Sequence, residues 1–212
     1  MHAHVSEQLA ENQACLDAYR QTPVGVLVDA GAVTPQFSAV HATHLTDADI
    51  AGLRYATVCF CPTTERDLAD GIGPARRLLD AGTALSIGSD SHAVIDPFEE
   101  TRAIELNERL QRNTRSNIDV ATLLNAATSA GHHSIGWDDA GTITPGALAD
   151  LVTVSLASVR LAGTRPHDVL AAVVFGASPA DVTHVMVGGR PIVIDGRHQT
   201  IDVAVELAAV LS

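Results

Sequence analysis

Three short stretches place nitrogen and oxygen donors at the ends of apolar runs: His4-Val5-Ser6-Glu7, Val40-His41-Ala42-Thr43-His44 and Ile87-Gly88-Ser89-Asp90-Ser91-His92. Neutral imidazole nitrogen and carboxylate oxygen hold a hydrolytic divalent metal, and a free glutamate nearby can move protons for its water. His4 and Asp90 are the candidate metal ligands; Glu7, His41 and Asp90 are the candidate catalytic groups. Glu7, three positions beyond His4, is close enough to take a proton from the nucleophile and hand it to a leaving amine. Asp90 suits both ligation and orientation of the water. A single strand histidine is more often a packed core or rim residue. Three strand-end donors in successive units, one with His-x-x-Glu spacing, are hard to explain as packing. His44 and His92 follow strand ends and line the pocket or face solvent, while His132-His133, His167, His184 and His198 belong to the surface or to a subdomain.

Donors so far apart in sequence converge only if the elements beneath them end at one rim, as the parallel strands of a (β/α) barrel do. The first two-thirds of the chain alternates strand and helix signals in four βα units. Residues 1–5 read as a strand stub, followed by a helix over 6–21 that the Thr22-Pro23 break ends. The second strand spans 37–42, and Thr46-Asp47-Ala48-Asp49 resembles a capping box opening a helix through Tyr55. A third strand, 57–61, is halted by Pro62; Gly73-Pro74 opens a helix to about Ala81, and 83–88 form the fourth strand. Pro97 starts a helix through about Gln111, and Asp119 caps another over 120–130. Beyond Gly141 the chain turns to strands at 150–155, 182–187 and 190–194, the last two joined by Gly188-Gly189 as a hairpin. Helices are expected at 166–175 and 203–211.

The bulk composition agrees. With 212 residues, 46% of them hydrophobic and only 3% aromatic, the chain can build one substantial core from small residues, as buried parallel strands require. Its 13 Lys and Arg against 25 Asp and Glu give a net charge of -12, which argues against nucleic-acid binding. No run of about 18 apolar residues and no charged-then-apolar leader is present, so the expectation is a cytoplasmic enzyme acting on a small molecule, without a membrane partner. Cys15, Cys59 and Cys61 lack metal-knuckle spacing and read as buried reduced thiols.

His2-Ala3-His4 invites a reading as the His-x-His pair of a first barrel strand. The order of the later donors argues otherwise: His41 comes after one helical stretch and Asp90 two strands later, which suits strands five, six and eight, with 57–61 as strand seven. On these motifs the chain resembles the amidohydrolase superfamily in its deaminase branch, with His4-Val5-Ser6-Glu7 similar to the strand-five signature. Gly141-x-Ile143-x-x-Gly146-x-x-Ala149-Asp150-Leu151-Val152 is similar to the superfamily's return into its small β domain. Within the branch it resembles the formimidoylglutamate deiminase family, through His2-Ala3-His4-Val5-Ser6-Glu7-Gln8, Cys61-Pro62-Thr63-Thr64-Glu65 and Asp70-Gly71-Ile72. Nucleobase-type relatives carry an Asn-containing loop after strand seven, where Glu65 stands here.

The resemblance implies a zinc ion held by His4 and Asp90, Glu7 as proton shuttle, His41 holding the water or the developing charge, and His44, His92 and Glu65 toward substrate. The implied reaction converts N-formimidoyl-L-glutamate to N-formyl-L-glutamate and ammonia, as in histidine degradation. A guanine-, cytosine- or triazine-type aminohydrolase is the rival enzyme, and a non-catalytic remnant the rival class. The expected architecture is α/β: strands five to eight of a TIM-like barrel over 1–137 and a small β subdomain over 138–212. A whole barrel needs about 250 residues. The two strand-one histidines that complete the metal site are absent from this chain, so it reads as a fragment with weakened zinc binding. Its exposed sheet edge leaves room for a homo-oligomer.

Overall fold

The apolar runs pair in the order in which they occur. In the computed structural model, which describes residues 1–91 and 94–211, β1 (His2–Val5), β2 (Ser38–His41), β3 (Thr57–Phe60) and β4 (Ala84–Ile87) form a parallel sheet of order β1-β2-β3-β4. His92 lies outside the described residues. In register, His4 pairs with Val40, Val40 with Cys59, and Cys59 with Ser86. These strands belong to a compact unit, Met1–Asp138, and a second unit spans Asp139–Ser212.

In the first unit, Val5, Ala39, Val58, Phe60 and Leu85 of the sheet are buried, as are Val24, Ile50, Leu53, Leu78, Ile104 and Leu123 of its helices and their flanks. The helices are α1 (Leu9–Tyr19), α2 (Pro23–Asp29), α3 (Asp47–Gly52), α4 (Pro62–Asp67), α5 (Ala75–Ala81), α6 (Pro97–Arg112), α7 (Val120–Ala126) and α8 (Ser129–Ser134). The capping box at Thr46 is formed with Asp49 in both directions. One expectation gains an addition and two need correction. The first helix does end before Thr22-Pro23, at Tyr19, and Pro23 also opens α2, because a proline at the first helical position gives up only an N–H that has no partner there, and Thr22 caps it by accepting from Gly25 N–H. Pro62 likewise opens α4 where the sequence suggested a loop, which leaves Cys61 outside the strand as the residue before the helix. The helix expected over 120–130 is two: Thr128, at φ -129° and ψ -104°, separates α7 from α8.

The second unit is an antiparallel sheet of β5 (Leu151–Val154), β6 (Val182–Val187), β7 (Arg190–Ile194) and β8 (Arg197–His198), in that order. Gly188 (φ 54°) and Gly189 (φ 76°) turn between β6 and β7, both in the left-handed region that a two-residue hairpin turn demands. A short 3-10 turn at Pro166–Asp168 precedes α9 (Val169–Gly176), and α10 (Val203–Leu211) closes the chain. The unit is knotted by buried Asp181, which accepts from Arg160 Nη2 and from Ser178 N–H. The two sheets make a mixed α/β protein. Among the described residues, no helix is long and apolar enough to cross a membrane.

Candidate active site

The chemistry-bearing residues sit where the parallel strands end, and there the backbone leaves ordinary strand geometry. Ser6 (φ 52°), His41 (φ 66°) and Asp90 (φ 46°) all adopt left-handed backbone. Such conformations cost non-glycine residues about 1–3 kcal/mol each and persist only where neighbours enforce them. Side chains from the following helices provide that enforcement. Glu11 of α1 accepts the N–H groups of Ser6 and Glu7, each at 2.9 Å. Asn12 of α1 donates to the carbonyl of His44 at 2.8 Å. Thr64 of α4 bonds the residues on either side of Asp90.

His4, His41 and Asp90 converge, each offering one donor atom within 4.8 Å of the others. His4 Nε2 stands 3.9 Å from Asp90 Oδ1, and His41 Nε2 stands 3.7 Å from Asp90 Oδ2. The two imidazole rings are 5.3 Å apart between centroids. Their surroundings differ sharply: the His41 side chain is fully buried, whereas that of His4 is 63% exposed and that of Asp90 31%. Glu7 Oε1 lies 3.8 Å from His41 Nε2, opposite the buried Asp70.

Glu65 completes the arrangement from behind. Its Oε1 accepts from Cys61 N–H at 2.8 Å and stands 3.3 Å from His41 Nδ1. A carboxylate at that nitrogen draws the ring proton to Nδ1 and leaves the Nε2 lone pair free. Among the described residues, His41 Nε2 has no hydrogen-bond partner although it is buried. Burial works to lower the His41 pKa, but the hydrogen bond to Glu65 and the charges of Glu7, Glu65 and Asp90 outweigh it and hold the ring above the ordinary imidazole value. Burial pushes the Glu7 carboxyl upward; His41 and His4 pull it down, and neighbouring Asp70 pushes with burial.

The structure therefore brings together His4, Glu7, His41 and Asp90. Glu65 is 2% exposed and directed at His41, so its place is beneath the pocket and not at its opening. His44 is half-buried, its ring 3.5 Å from the position a Cβ on Gly71 would take. His2 is turned to the Ser134 carbonyl at 2.8 Å, away from the donor group. His132, His133, His167, His184 and His198 stand on exposed or half-exposed positions. Asp70, Glu11 and Thr64 were not singled out as site residues from sequence. Asp70 had a signal in the Asp-Gly-Ile motif, whereas Glu11 and Thr64 act on backbone groups and leave no mark in residue spacing. Of the thiols, Cys61 is buried as expected, and Cys15 and Cys59 are only half-buried.

Residues 1–192 match the model of the amidohydrolase family. A formimidoylglutamate deiminase of Pseudomonas aeruginosa is 33% identical over 207 residues, covering 93% of this chain and 46% of the relative. A 5-methylthioadenosine/S-adenosylhomocysteine deaminase of Natronomonas pharaonis is 31% identical over 207 residues, 95% of this chain and 47% of that one. Among solved structures, an adenosine deaminase of Xanthomonas campestris with bound zinc matches with a TM-score of 0.90 and 32% identity, over 98% of this chain and 48% of the other. The chain spans about half the length of the curated relatives it matches.

Proposed function

The chain belongs to the amidohydrolase family, and from that premise we propose that it carries the catalytic rim of a metal-dependent deaminase that hydrolyses a C–N bond. The carrying observation is the convergence of His4, His41 and Asp90 on one point, with a buried His41 nitrogen that has no hydrogen-bond partner among the described residues. The donor set fits a borderline divalent cation such as zinc. Ligand atoms in a tetrahedral shell with bonds of about 2.1 Å lie about 3.4 Å apart, and the His4–Asp90 pair, at 3.9 Å, needs little movement to reach that. The zinc named with the Xanthomonas campestris structure supports the same ion.

His4 and Asp90 hold the ion. When bound, the metal acidifies a water molecule and polarises the substrate's reacting carbon. His41, with its proton kept on Nδ1 by Glu65, offers Nε2 to the attacking water or to the charge that develops beside it. Glu7 accepts the water's proton on Oε1 and returns it to the departing nitrogen; burial, by raising its pKa, makes its carboxylate a stronger base for the first of these steps. Glu65 acts through His41 as a positioning residue and makes no contact with substrate. The family resemblance implies that the sheet corresponds to strands five to eight of a (β/α) barrel, with the paired histidines of strand one as two further ligands.

The substrate that the likeness favours is N-formimidoyl-L-glutamate, released as N-formyl-L-glutamate and ammonia. The name of the Pseudomonas aeruginosa relative supports it. A nucleoside aminohydrolase is the second reading, supported by the name of the Natronomonas pharaonis relative. Zinc affinity and ammonia release on a panel of N-formimidoyl-L-glutamate and 5′-methylthioadenosine test both. Zinc binding that weakens on replacing His4 or Asp90 is expected. Binding indifferent to those residues overturns the metal site, and ammonia from the nucleoside alone overturns the formimino substrate.

A further inference from the structure

Asp90 is the most demanding of the rim residues, because its backbone sits at φ 46° in a loop rather than inside an element. Something must hold it there. Thr64, fully buried in the first turn of α4, reaches both of its neighbours. Thr64 Oγ1 donates to the Ser89 carbonyl at 3.2 Å, accepts from Ser91 N–H at 3.3 Å, and lies 3.0 Å from Ser91 Oγ. A hydroxyl has one proton and two lone pairs. With its proton on the Ser89 carbonyl, both lone pairs are left for the two donors of Ser91, so all three bonds coexist. The peptide on each side of Asp90 is thereby tied to a single buried atom.

That atom is itself fixed. Thr63, the preceding residue, gives its N–H to Glu100 Oε2 at 3.0 Å and its hydroxyl to Glu100 Oε1. Glu100 is buried on α6, so the start of α4 is tied to a long helix. The next residue along is Glu65, which faces His41. Thr63, Thr64 and Glu65 thus have three consecutive tasks: anchorage, the Asp90 backbone, and the His41 ring.

We infer that Thr64 is a positioning residue for the metal site, a hydroxyl clamp that holds Asp90 in its left-handed conformation with the carboxylate directed at His4 and His41. The inference rests on the reading of Asp90 as a metal donor. It predicts a requirement at position 64: serine should replace the threonine, whereas an isosteric valine should not.

The test compares Thr64→Val, Thr64→Ser and Asp90→Ala in the whole chain. Amide hydrogen exchange at Ser91, followed without metal, reads the clamp directly. Cobalt(II) affinity, from the visible absorption of the bound ion, reads its consequence. Thr64→Val is expected to speed Ser91 exchange and to weaken cobalt binding by about tenfold or more. Thr64→Ser should restore both, and Thr64→Val should add nothing on the Asp90→Ala background. A merely structural role would lower the thermal midpoint of both Thr64 variants together and leave no such split. Unaltered Ser91 exchange in Thr64→Val overturns the clamp. Cobalt affinity unchanged in Asp90→Ala instead overturns Asp90 as a donor, a failure of the underlying reading that is distinct from failure of the clamp.

Discussion

Along α6, Glu100, Glu105 and Glu108 are buried as deeply as His41 at the strand ends, but their bonding is of a different kind. Glu105 accepts the N–H groups of Ser116, Asn117 and Ile118 at 2.9, 3.3 and 2.8 Å and pairs with Arg109 at 2.7 Å. Glu100 accepts from Thr63, and Glu108 from the N–H of Arg76 at 2.8 Å. These carboxylates fold loops back onto the helix, and backbone donors within the chain meet them. His41 Nε2 has no such donor or acceptor among the described residues, and the carboxylates of Glu7 and Asp90 stop 3.8 and 3.7 Å short of it. A buried polar group without a partner costs about 1–3 kcal/mol; Glu108 Oε2 on the flank has Arg112 at 2.8 Å, whereas His41 Nε2 has only carboxylates at 3.7 and 3.8 Å, which supports the proposed ligand site at the rim.

The sharpest way to break this contrast is Glu105→Ala. Three backbone N–H groups lose their acceptor, and unfolding in urea should show a loss of about 3 kcal/mol with zinc affinity unchanged. If zinc affinity fell in step, flank and rim would be one network and the contrast would collapse. Asp90→Ala should do the reverse: zinc affinity measured against a chromophoric chelator drops about a hundredfold or more, while the urea midpoint holds.

A smaller effect is expected from Glu65→Gln, which keeps an acceptor for Cys61 N–H but can present its amide NH₂ to His41 Nδ1. Nitrogen NMR of the His41 ring should then show the proton moving to Nε2, with turnover falling about tenfold. A ring tautomer indifferent to the substitution would remove Glu65 from the site. The smallest effect concerns pH. Asp119, which caps α7, is held below the ordinary Asp value first by the backbone N–H of Thr122 and then by its hydroxyl. A carboxylate with a depressed folded pKa stabilises fully above its unfolded value, about 3.9, and loses that stabilisation as pH falls through the folded one. Asp119→Asn keeps a capping side chain and should flatten the decline of the thermal midpoint below about pH 4, with no change at neutral pH. An undiminished decline would assign the acid sensitivity to other carboxylates.

Much of the scaffold was legible residue by residue. The four parallel strands announce themselves as β-branched and apolar runs, the Thr46 capping box as a four-residue pattern, and the hairpin as adjacent glycines. The proline positions misled because one residue has two meanings: inside a helix it breaks, at the first position it starts, and only the neighbouring cap tells them apart. Glu65 shows the same ambiguity at the site. As a letter beside the pocket it reads as a substrate contact, yet the turn of α4 points it inward to His41.

What the sequence by itself determined is which strand ends carry the candidate donor groups, since alternation, strand-breaking residues and donor type are local properties. Tertiary structure alone decided how those groups are held. Thr64 reaches Ser91 across 27 positions, Glu100 reaches Thr63 across 37, and Glu65 reaches His41 across 24. Each is a side chain meeting a partner brought near only by the packing of α4 and α6 against the sheet, and no period or motif in a linear chain encodes such a meeting.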